Sequence, residues 1–177
     1  MTERNGIKGC DFSMSVVKAW EEAFFSTEIP GTRKIALRTS IVLGDQGGAY
    51  PKLKQITRLG LGGQQGDGHQ MVSWIHISDF CRAVEHIINT RHLEGAINVT
   101  GPEPLTNKDF MAGMRKINRP LFFLNSPKWL LELGASIVGT ETELLLKSRY
   151  VVPDRLLKSG FEFEFNNMAA LYSLKKS

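Results

Sequence analysis

The chain has 177 residues, 42% hydrophobic and 23% charged, with a formal net charge of +4, a composition typical of a globular protein with a core of its own. No apolar run reaches the roughly 20 residues of a membrane-spanning helix, and the polar first residues, from Met1 to Lys8, hold no signal-peptide stretch. The basic residues are scattered and form no stripe with interleaved aromatics, so we expect no nucleic acid and no membrane as partners, and a cytoplasmic location.

Helix and strand signals alternate over the first 60 residues. Asp11 can cap a helix whose apolar residues recur at helical spacing from Phe12 to Ala23. The segment 34–43 is rich in Ile, Val and Leu, which predicts a strand buried on both faces, as in a parallel sheet. A glycine pair then ends this strand, and a short helix is predicted over 51–59.

The segment 60–68 holds five glycines in nine positions. It is no Walker A loop, because no Gly-Lys-Ser/Thr triplet follows, and Gln65 stands where the dinucleotide pattern GxGxxG needs its third glycine. For the glycines alone, a turn-rich loop is the better interpretation. Beyond it we predict a strand over 71–77, a helix capped by Asp79, and a strand over 96–99.

The character of the chain changes near residue 120. Thr106 and Asp109 form a capping box for the last helix before this point. The rest reads as a small, mostly helical unit, and we place domains at 1–120 and 121–177. Its predicted elements are helices from Ser126-Pro127, from Thr140, over 153–158 and over 168–174, with one alternating strand over 161–165. The alternation of strands and helices in the first domain predicts an α/β fold with a parallel sheet.

Two other functional interpretations, a hydrolase and a metal site, are not supported by the motifs. Ser73, His76 and Asp79 lack a nucleophile elbow and do not indicate a hydrolase. The four histidines and the two cysteines show no metal-ligand spacing, so we predict no metal site and free thiols.

The order of many short motifs resembles one family, the atypical short-chain dehydrogenase/reductases related to sugar-nucleotide epimerases, some of which carry an old label of cell-division inhibitor. The match is to the C-terminal part of that family. The motifs that carry it include Trp20-Glu21-Glu22-Ala23, Leu37-Arg38-Thr39-Ser40-Ile41-Val42-Leu43-Gly44, Trp74-Ile75-His76-Ile77-Ser78-Asp79, Asn98-Val99-Thr100-Gly101-Pro102, Arg119-Pro120 and Gly160-Phe161-Glu162-Phe163.

This resemblance implies the C-terminal portion of a Rossmann-like parallel sheet with a small C-terminal domain. It also implies NADP or NAD as cofactor, and hydride transfer on a small-molecule substrate such as a nucleotide sugar. The family's glycine-rich phosphate loop and its Tyr-x-x-x-Lys tyrosine do not occur here. We therefore expect a truncated chain that is inactive alone, has no catalytic residue of its own, binds no cofactor tightly and self-associates through an exposed sheet edge.

The resemblance also implies two groups of site residues. Arg38, Thr39, Ser40, Ile41 and Val42 would meet the nicotinamide end of the cofactor, although Arg38 can equally pair with a carboxylate such as Asp79.

The second group would line the substrate cleft and comprises Gly62, Gly63, Gln70, Trp74 and His76. A core tryptophan and a structural histidine are the alternatives for its last two members. Ile41 replaces an asparagine frequent in related epimerases, which weakens the nucleotide-sugar reading. A non-catalytic binding or regulatory module that retains the fold is the alternative function.

Overall fold

Short helices and strands alternate along the computed structural model, which describes residues 2–3, 12–125 and 148–169. A π-helical turn, Thr57–Leu61, continues the second helix. The helices are α1 (Phe12–Ser26), α2 (Ala49–Ile56), α3 (Ile77–Asn89), α4 (Asn107–Asn118) and α5 (Asp154–Lys158). The strands are β1 (Ile35–Thr39), β2 (Ile41–Gly44), β3 (Gly47–Gly48), β4 (Met71–Val72), β5 (Trp74–His76), β6 (Gly95–Val99) and β7 (Leu105–Thr106).

Two parallel ladders form the centre of the fold. β1 pairs with β6 from Ile35 beside Gly95 to Thr39 beside Val99. β2 pairs with β5 in the same sense, while β2–β3 and β4–β7 are short antiparallel pairs. Parallel strands with intervening helices confirm the predicted α/β class.

The predicted strand over 34–43 is broken at Ser40. The Ser40 amide donates to the carbonyl of Val99 at 3.2 Å, and the next amide, of Ile41, donates to the carbonyl of Ser73 at 3.3 Å. The prediction of burial on both faces was also wrong, because Leu37 and Ile41 keep 39% and 37% of their surface exposed. Among the described residues β1 has only β6 as a neighbour, which leaves its other side uncovered.

Strand β5 contributes to two separate apolar clusters. Successive strand residues point to opposite faces, and accordingly Trp74 belongs to one cluster and Ile75 to the other. The first contains Leu43, Trp74, Phe110, Met111, Met114, Ile117 and Met168. The second contains Ile75, Ala83, Ile87, Leu93, Ile97, Val99, Leu156 and Phe161. The clusters therefore lie on the two sides of β5, and residues from the C-terminal part of the chain, Leu156, Phe161 and Met168, complete them.

Several side chains satisfy backbone groups at element ends. The predicted capping box is confirmed, since Thr106 Oγ1 accepts from the Asp109 amide at 3.1 Å. Arg33 Nη1 donates to the carbonyls of Ile87, Thr90 and Leu93 at the C-terminus of α3. Helix ends carry unpaired carbonyls, so this guanidinium fixes the end of α3.

The outer edge of β6 is covered by charged side chains. Arg155 Nη1 donates to the carbonyls of Glu94 and Ala96, and Glu3 Oε1 accepts from the Asn98 amide at 3.1 Å. An unpaired strand edge invites association with other strands. Glu3 and Arg155 block that association on the β6 side.

Of the elements predicted for the C-terminal part of the chain, one is confirmed, one is wrong, and the others lie mostly or wholly outside the described residues. The helix over 153–158 is confirmed as α5, and the chain then turns through Gly160, whose φ is +83°. The strand predicted over 161–165 is wrong, although its phenylalanines do turn inward relative to the glutamates between them. The helices predicted from Ser126-Pro127 and from Thr140, the Asp11 cap and most of the helix over 168–174 lie outside the described residues.

The segment 121–125 packs onto the glycine-rich loop. The Leu124 amide donates to the Gly60 carbonyl at 2.7 Å, and the Gly63 amide donates to the Leu124 carbonyl at 3.0 Å. A Cβ on Gly60 would overlap the ring of Phe122, and a Cβ on Gly63 would overlap the Leu124 carbonyl. These two glycines therefore allow a close approach between segments of the chain itself.

We expect Gly63→Ala to lower the free energy of unfolding by about 1–3 kcal/mol, because the added methyl group meets backbone atoms that cannot move away. Gly47→Ala is the matched control, since a Cβ there meets no atom within 4 Å, and we expect it to change stability by no more than about 1 kcal/mol. Urea denaturation of the two variants measures the difference. Equal stability would show that the close packing of 121–125 on the loop is absent in solution.

Candidate functional site

The carboxyl ends of β1 and β6 separate around β5. β2, which continues β1, pairs with β5, and the Gly101 amide beyond β6 donates to the Trp74 carbonyl of β5 at 2.7 Å. We call this place, formed by residues 39–41 and 99–101 around β5, the strand fork. In open α/β sheets ligands bind beyond the carboxyl ends of the strands, so the strand fork is the first place to look for a site.

Two buried hydroxyls at the strand fork have no partner among the described residues. They are Ser40 Oγ and Thr100 Oγ1. The register places both residues one step beyond the last pair of the β1–β6 ladder, Thr39 and Val99. A buried polar group without a hydrogen bond destabilises the fold. The strand fork thus holds hydrogen-bonding capacity that the described chain does not use.

Arg38, at the β1 side of the strand fork, is committed to an ion pair. Its Nε and Nη2 donate to the two carboxylate oxygens of Glu21 on α1, each at 2.6 Å. The hydrogen bond to Glu21 raises the pKa of Arg38 above its ordinary value, against the opposing effect of burial. The carboxylate partner is therefore Glu21 and not the Asp79 suggested by the sequence.

The other predicted cofactor residues differ in exposure. Thr39 is exposed, Ile41 is just over one third exposed, and Val42 packs half-buried against the second apolar cluster. Together with Ser40 they do lie side by side, where β1 passes into β2.

A buried amide network holds the glycine-rich loop to the start of α4. The Gln65 amide donates to Asn107 Oδ1 at 2.8 Å, and Asn107 Nδ2 donates to Gln65 Oε1 at 3.0 Å. Gln70 Nε2 donates to the Gln65 carbonyl at 2.9 Å, while Gln70 Oε1 is buried with no partner among the described residues. Sequence reasoning missed Gln65 and Asn107 as a pair. The glutamine in the third glycine position of GxGxxG was the available signal.

Arg115 was also missed by sequence reasoning. Its Nη1 donates to the Gly62 carbonyl at 2.7 Å, and its guanidinium lies 4.2 Å from the ring centroid of Phe123. Burial lowers the pKa of Arg115. A Cβ on Gly62 would press on Thr57. The two predicted cleft glycines, Gly62 and Gly63, therefore both contact other parts of the chain.

Trp74 and His76 are both buried, with 1% and 5% exposed. The indole belongs to the first apolar cluster. His76 caps α3, because its Nδ1 accepts from the Ser78 amide at 3.2 Å, and its ring stacks on Phe165 with centroids 3.8 Å apart. Burial lowers the pKa of His76, which outweighs the opposing influence of Asp79.

Asp79 holds the C-terminal segment to α3. Its Oδ1 accepts from the Glu164 amide at 3.0 Å and from Arg82 Nη1 at 2.7 Å, and its Oδ2 accepts from the Phe165 amide at 2.8 Å. The prediction that Asp79 caps α3 was wrong, since the helix begins earlier, at Ile77, with His76 as its cap. This carboxylate also explains the missing strand over 161–165, because it takes backbone amides that a ladder would need.

Within residues 2–3, 12–125 and 148–169, no three His, Cys, Asp or Glu side chains are grouped as metal ligands. In the same part of the chain, no helix has the length and apolar character to cross a lipid bilayer.

Comparison with known families and sequences finds related proteins along almost the whole chain. A family described as Domain of unknown function (DUF1731) matches residues 126–171. The human Epimerase family protein SDR39U1 is 32% identical over 163 residues, which are 90% of this chain and 54% of the relative. The Epimerase family protein ML0860 of Mycobacterium leprae is 31% identical over 98% of this chain and 56% of its own length. The chain thus spans about half the length of the curated relatives that it matches.

Solved structures give the same picture. The crystal structure of human SDR39U1 (isoform 2) with NADPH superposes with a TM-score of 0.86 and 30% identity, covering all of this chain and 59% of the human one. The nucleoside-diphosphate sugar epimerase from Corynebacterium glutamicum has a TM-score of 0.75 and 28% identity, covering 97% of this chain and 32% of its own.

We expect Asp79→Ala to lower the free energy of unfolding by about 2–4 kcal/mol, because the Glu164 and Phe165 amides lose their acceptor. Limited proteolysis should then cut within 161–169 first. Asp45→Ala removes an exposed carboxylate paired with Lys54 at 3.3 Å, and we expect it to cost no more than about 1 kcal/mol. Urea denaturation followed by mass spectrometry of the fragments checks both. If the two variants lost equal stability, Asp79 would not hold the C-terminal segment.

The lowered pKa of His76 predicts acid sensitivity. The folded chain favours the neutral ring, so this contribution to stability is complete above the unfolded pKa of about 6.5 and is lost as the pH falls toward the lower folded value. The melting temperature of the wild type should fall between pH 7 and 5 more steeply than that of His76→Gln. His92→Gln, at an exposed position, should follow the wild type. Parallel curves for wild type and His76→Gln would contradict the assignment.

Proposed function

We propose that this chain functions as the C-terminal part of an epimerase-like atypical short-chain dehydrogenase/reductase. Almost its whole length matches the C-terminal part of the relatives. In this proposal it supplies the substrate-facing half of an NAD(P)-dependent epimerase or oxidoreductase. Alone, it is catalytically inactive and binds the cofactor weakly. The observation that carries the proposal is the pair of unpartnered buried hydroxyls at the strand fork.

These hydroxyls fit the amide end of a nicotinamide cofactor. A carboxamide has both donors and an acceptor, and a hydroxyl can serve either kind of group. Ser40 and the backbone groups of Thr39, Ile41 and Val42 would hold that end, and Thr100 would face it from β6. Arg38 would act through its ion pair with Glu21 by fixing the end of β1. The human relative whose structure contains NADPH supports this choice of cofactor. When bound, NADP or NAD would supply hydride transfer.

On the substrate side, the proposal assigns Gly62, Gly63, Gln70, Trp74 and His76 to the walls of the cleft. Gln70 Oε1, buried and unpartnered within the described residues, is the polar atom best suited to accept a substrate hydroxyl. Trp74 and His76 would support the wall from within, because both are almost fully buried. The substrate class is a small polyhydroxylated molecule. A nucleotide sugar fits the name of the Corynebacterium relative.

The ionisable groups of the predicted site favour an inactive chain. Arg38 is held by Glu21, and His76 uses its Nδ1 as a helix cap. A general base needs a free atom within hydrogen-bond reach of the substrate. The same observations favour the second candidate, a non-catalytic binding module. Self-association through the open β1 edge stays a prediction from the sequence.

A chimaera tests the cofactor claim without depending on the affinity between two chains. The unmatched N-terminal part of human SDR39U1 is joined to this chain where the match begins, and NADPH binding is followed by quenching of tryptophan fluorescence. We expect saturable binding by the chimaera and none by this chain alone at the same concentrations. Absence of binding by a folded chimaera would end the cofactor claim, and tight binding by the chain alone would contradict the claim that the cofactor half is required.

Removal of the two hydroxyls should have opposite effects on the stability of the chain alone and on NADPH binding by the chimaera. Thr100→Val should stabilise the chain alone by about 1 kcal/mol, because an unpaired buried hydroxyl is removed. In the chimaera, Thr100→Val and Ser40→Ala should each weaken NADPH binding about fivefold, the effect of losing a hydrogen bond of about 1 kcal/mol. Ser26→Ala, at an exposed hydroxyl of α1, is the control and should change neither quantity. Unchanged affinity in both variants would remove these hydroxyls from the site.

A further inference from the structure

The buried amide network of Gln65, Gln70 and Asn107 ends in one unused hydrogen-bond acceptor. All three residues are buried, with 5%, 8% and 3% of their surface exposed. Gln70 Nε2 donates to the Gln65 carbonyl at 2.9 Å, whereas Gln70 Oε1 has no partner among the described residues. A buried carbonyl oxygen without a donor destabilises the fold unless a ligand or an ordered water supplies one.

Backbone groups decide which atom of each side-chain amide faces its partner. The Gln65 backbone N–H can only donate, so the atom of Asn107 that faces it at 2.8 Å is the oxygen. The Gln65 carbonyl can only accept, so the atom of Gln70 that faces it is the nitrogen. Neither Asn107 nor Gln70 can turn its amide over without losing a bond. The free atom of Gln70 is therefore an oxygen, which accepts a hydrogen bond and cannot donate one.

Asn107 holds the segment 65–70 at both of its ends. It is the first residue of α4, and its backbone amide donates to the Gln70 carbonyl at 2.8 Å, while its side chain binds Gln65. The segment also closes on itself, since the Gly68 amide donates to the Gln65 carbonyl at 3.1 Å. Asn107 therefore fixes the position of the carbonyl that orients the Gln70 amide.

The start of α4, beside Gln70, is not arranged to bind an anion. A helix N-terminus binds phosphate through amides that have no partner within the protein. The first three amides of α4 are already bonded to acceptors of this chain, at the Gln70 carbonyl, the Gly68 carbonyl and Thr106 Oγ1. The group left over at this place is the Gln70 oxygen, which attracts a hydroxyl or an N–H and repels a phosphate oxygen.

We propose that Gln65 and Asn107 are positioning residues that hold Gln70 as the acceptor for a hydroxyl on the sugar part of a nucleotide-sugar substrate. The inference rests on the proposed function, which puts Gln70 in the wall of the substrate cleft, and it adds the orientation of the substrate. The sugar faces Gln70, and the diphosphate lies away from it. Ser73, three residues and thus at most about 11 Å further on, accepts from the Ile41 amide at the strand fork. This orientation therefore brings the sugar toward the place proposed for the nicotinamide.

Hydrogen exchange of side-chain amides, followed by NMR on the full 177-residue chain, tests the positioning without a ligand. We expect the Nε2 protons of Gln70 to exchange at least tenfold more slowly than those of Gln55, an exposed residue of α2. Asn107→Ala should remove this protection, whereas Asn107→Asp keeps an acceptor for the Gln65 amide and should retain it. Protection that survives Asn107→Ala, or that is lost in both variants, would contradict the positioning role.

Calorimetry with UDP-glucose and with UDP tests the specificity, on the full chain and on the chimaera with NADPH. Gln70→Met keeps the size of the side chain but removes its amide. We expect this variant to bind UDP-glucose about fivefold more weakly, because one hydrogen bond to the sugar is lost, and to bind UDP as the wild type does. Gln55→Met is the matched control and should change neither affinity.

Each other result counts against the inference. An equal loss of affinity for UDP-glucose and UDP in Gln70→Met would place the nucleotide, and not the sugar, at Gln70. Unchanged affinity for both would remove Gln70 from the site, and absence of UDP-glucose binding by both proteins would overturn the choice of ligand. The proposed function is decided separately, because it fails only if the folded chimaera binds no NADPH.

Discussion

The position of β5 decides the rest of the described structure. β1 and β6 pair in parallel over five residues and then cannot continue, because β5 takes hydrogen bonds from the continuation of each, at Ile41 and at Gly101. The same three-residue strand separates the two apolar clusters by directing Trp74 and Ile75 to opposite faces. This short strand therefore contributes to both apolar clusters and also separates the carboxyl ends of β1 and β6. The strand fork is a consequence of core packing and not a separate feature.

The motif that follows from β5 into α3 shows how polar groups are shared between fold and site. His76 and Asp79 invite a catalytic reading, yet one caps α3 and the other holds the backbone of Glu164 and Phe165. Buried carboxylates and imidazoles are stable only when their hydrogen bonds are satisfied. Asp79 accepts from two amides of the C-terminal segment, and His76 stacks on Phe165, so both residues tie that segment to the sheet. The polar atoms left without partners at the strand fork are hydroxyls, which cost less to bury than charges.

The sequence predicted the regular parts of this fold well. Apolar spacing located α3, α5 and β6, and the capping box of Thr106 and Asp109 located α4. These elements depend on their own residues and on burial against neighbours close in the chain. It failed where a distant partner decides. Nothing in Phe161–Phe165 shows that its amides go to Asp79 in place of a strand, and nothing near Arg38 identifies Glu21 as its carboxylate. The amide pair of Gln65 and Asn107 was hidden for the same reason, since the two residues are 42 positions apart.

The two sides of the β1–β6 ladder differ in a way that composition cannot show. At the β6 side, Arg155 and Glu3 occupy the backbone groups of the edge, a charged cover that prevents further pairing. At the β1 side Leu37 keeps 39% of its surface exposed, and the ion pair of Arg38 with Glu21 holds α1 to the strand. A surface that terminates a sheet is better protected by charge, and one that continues a sheet needs apolar side chains to bury. Among the described residues, the ladder therefore has one edge closed by charged side chains, at β6, and one edge without a neighbouring strand, at β1.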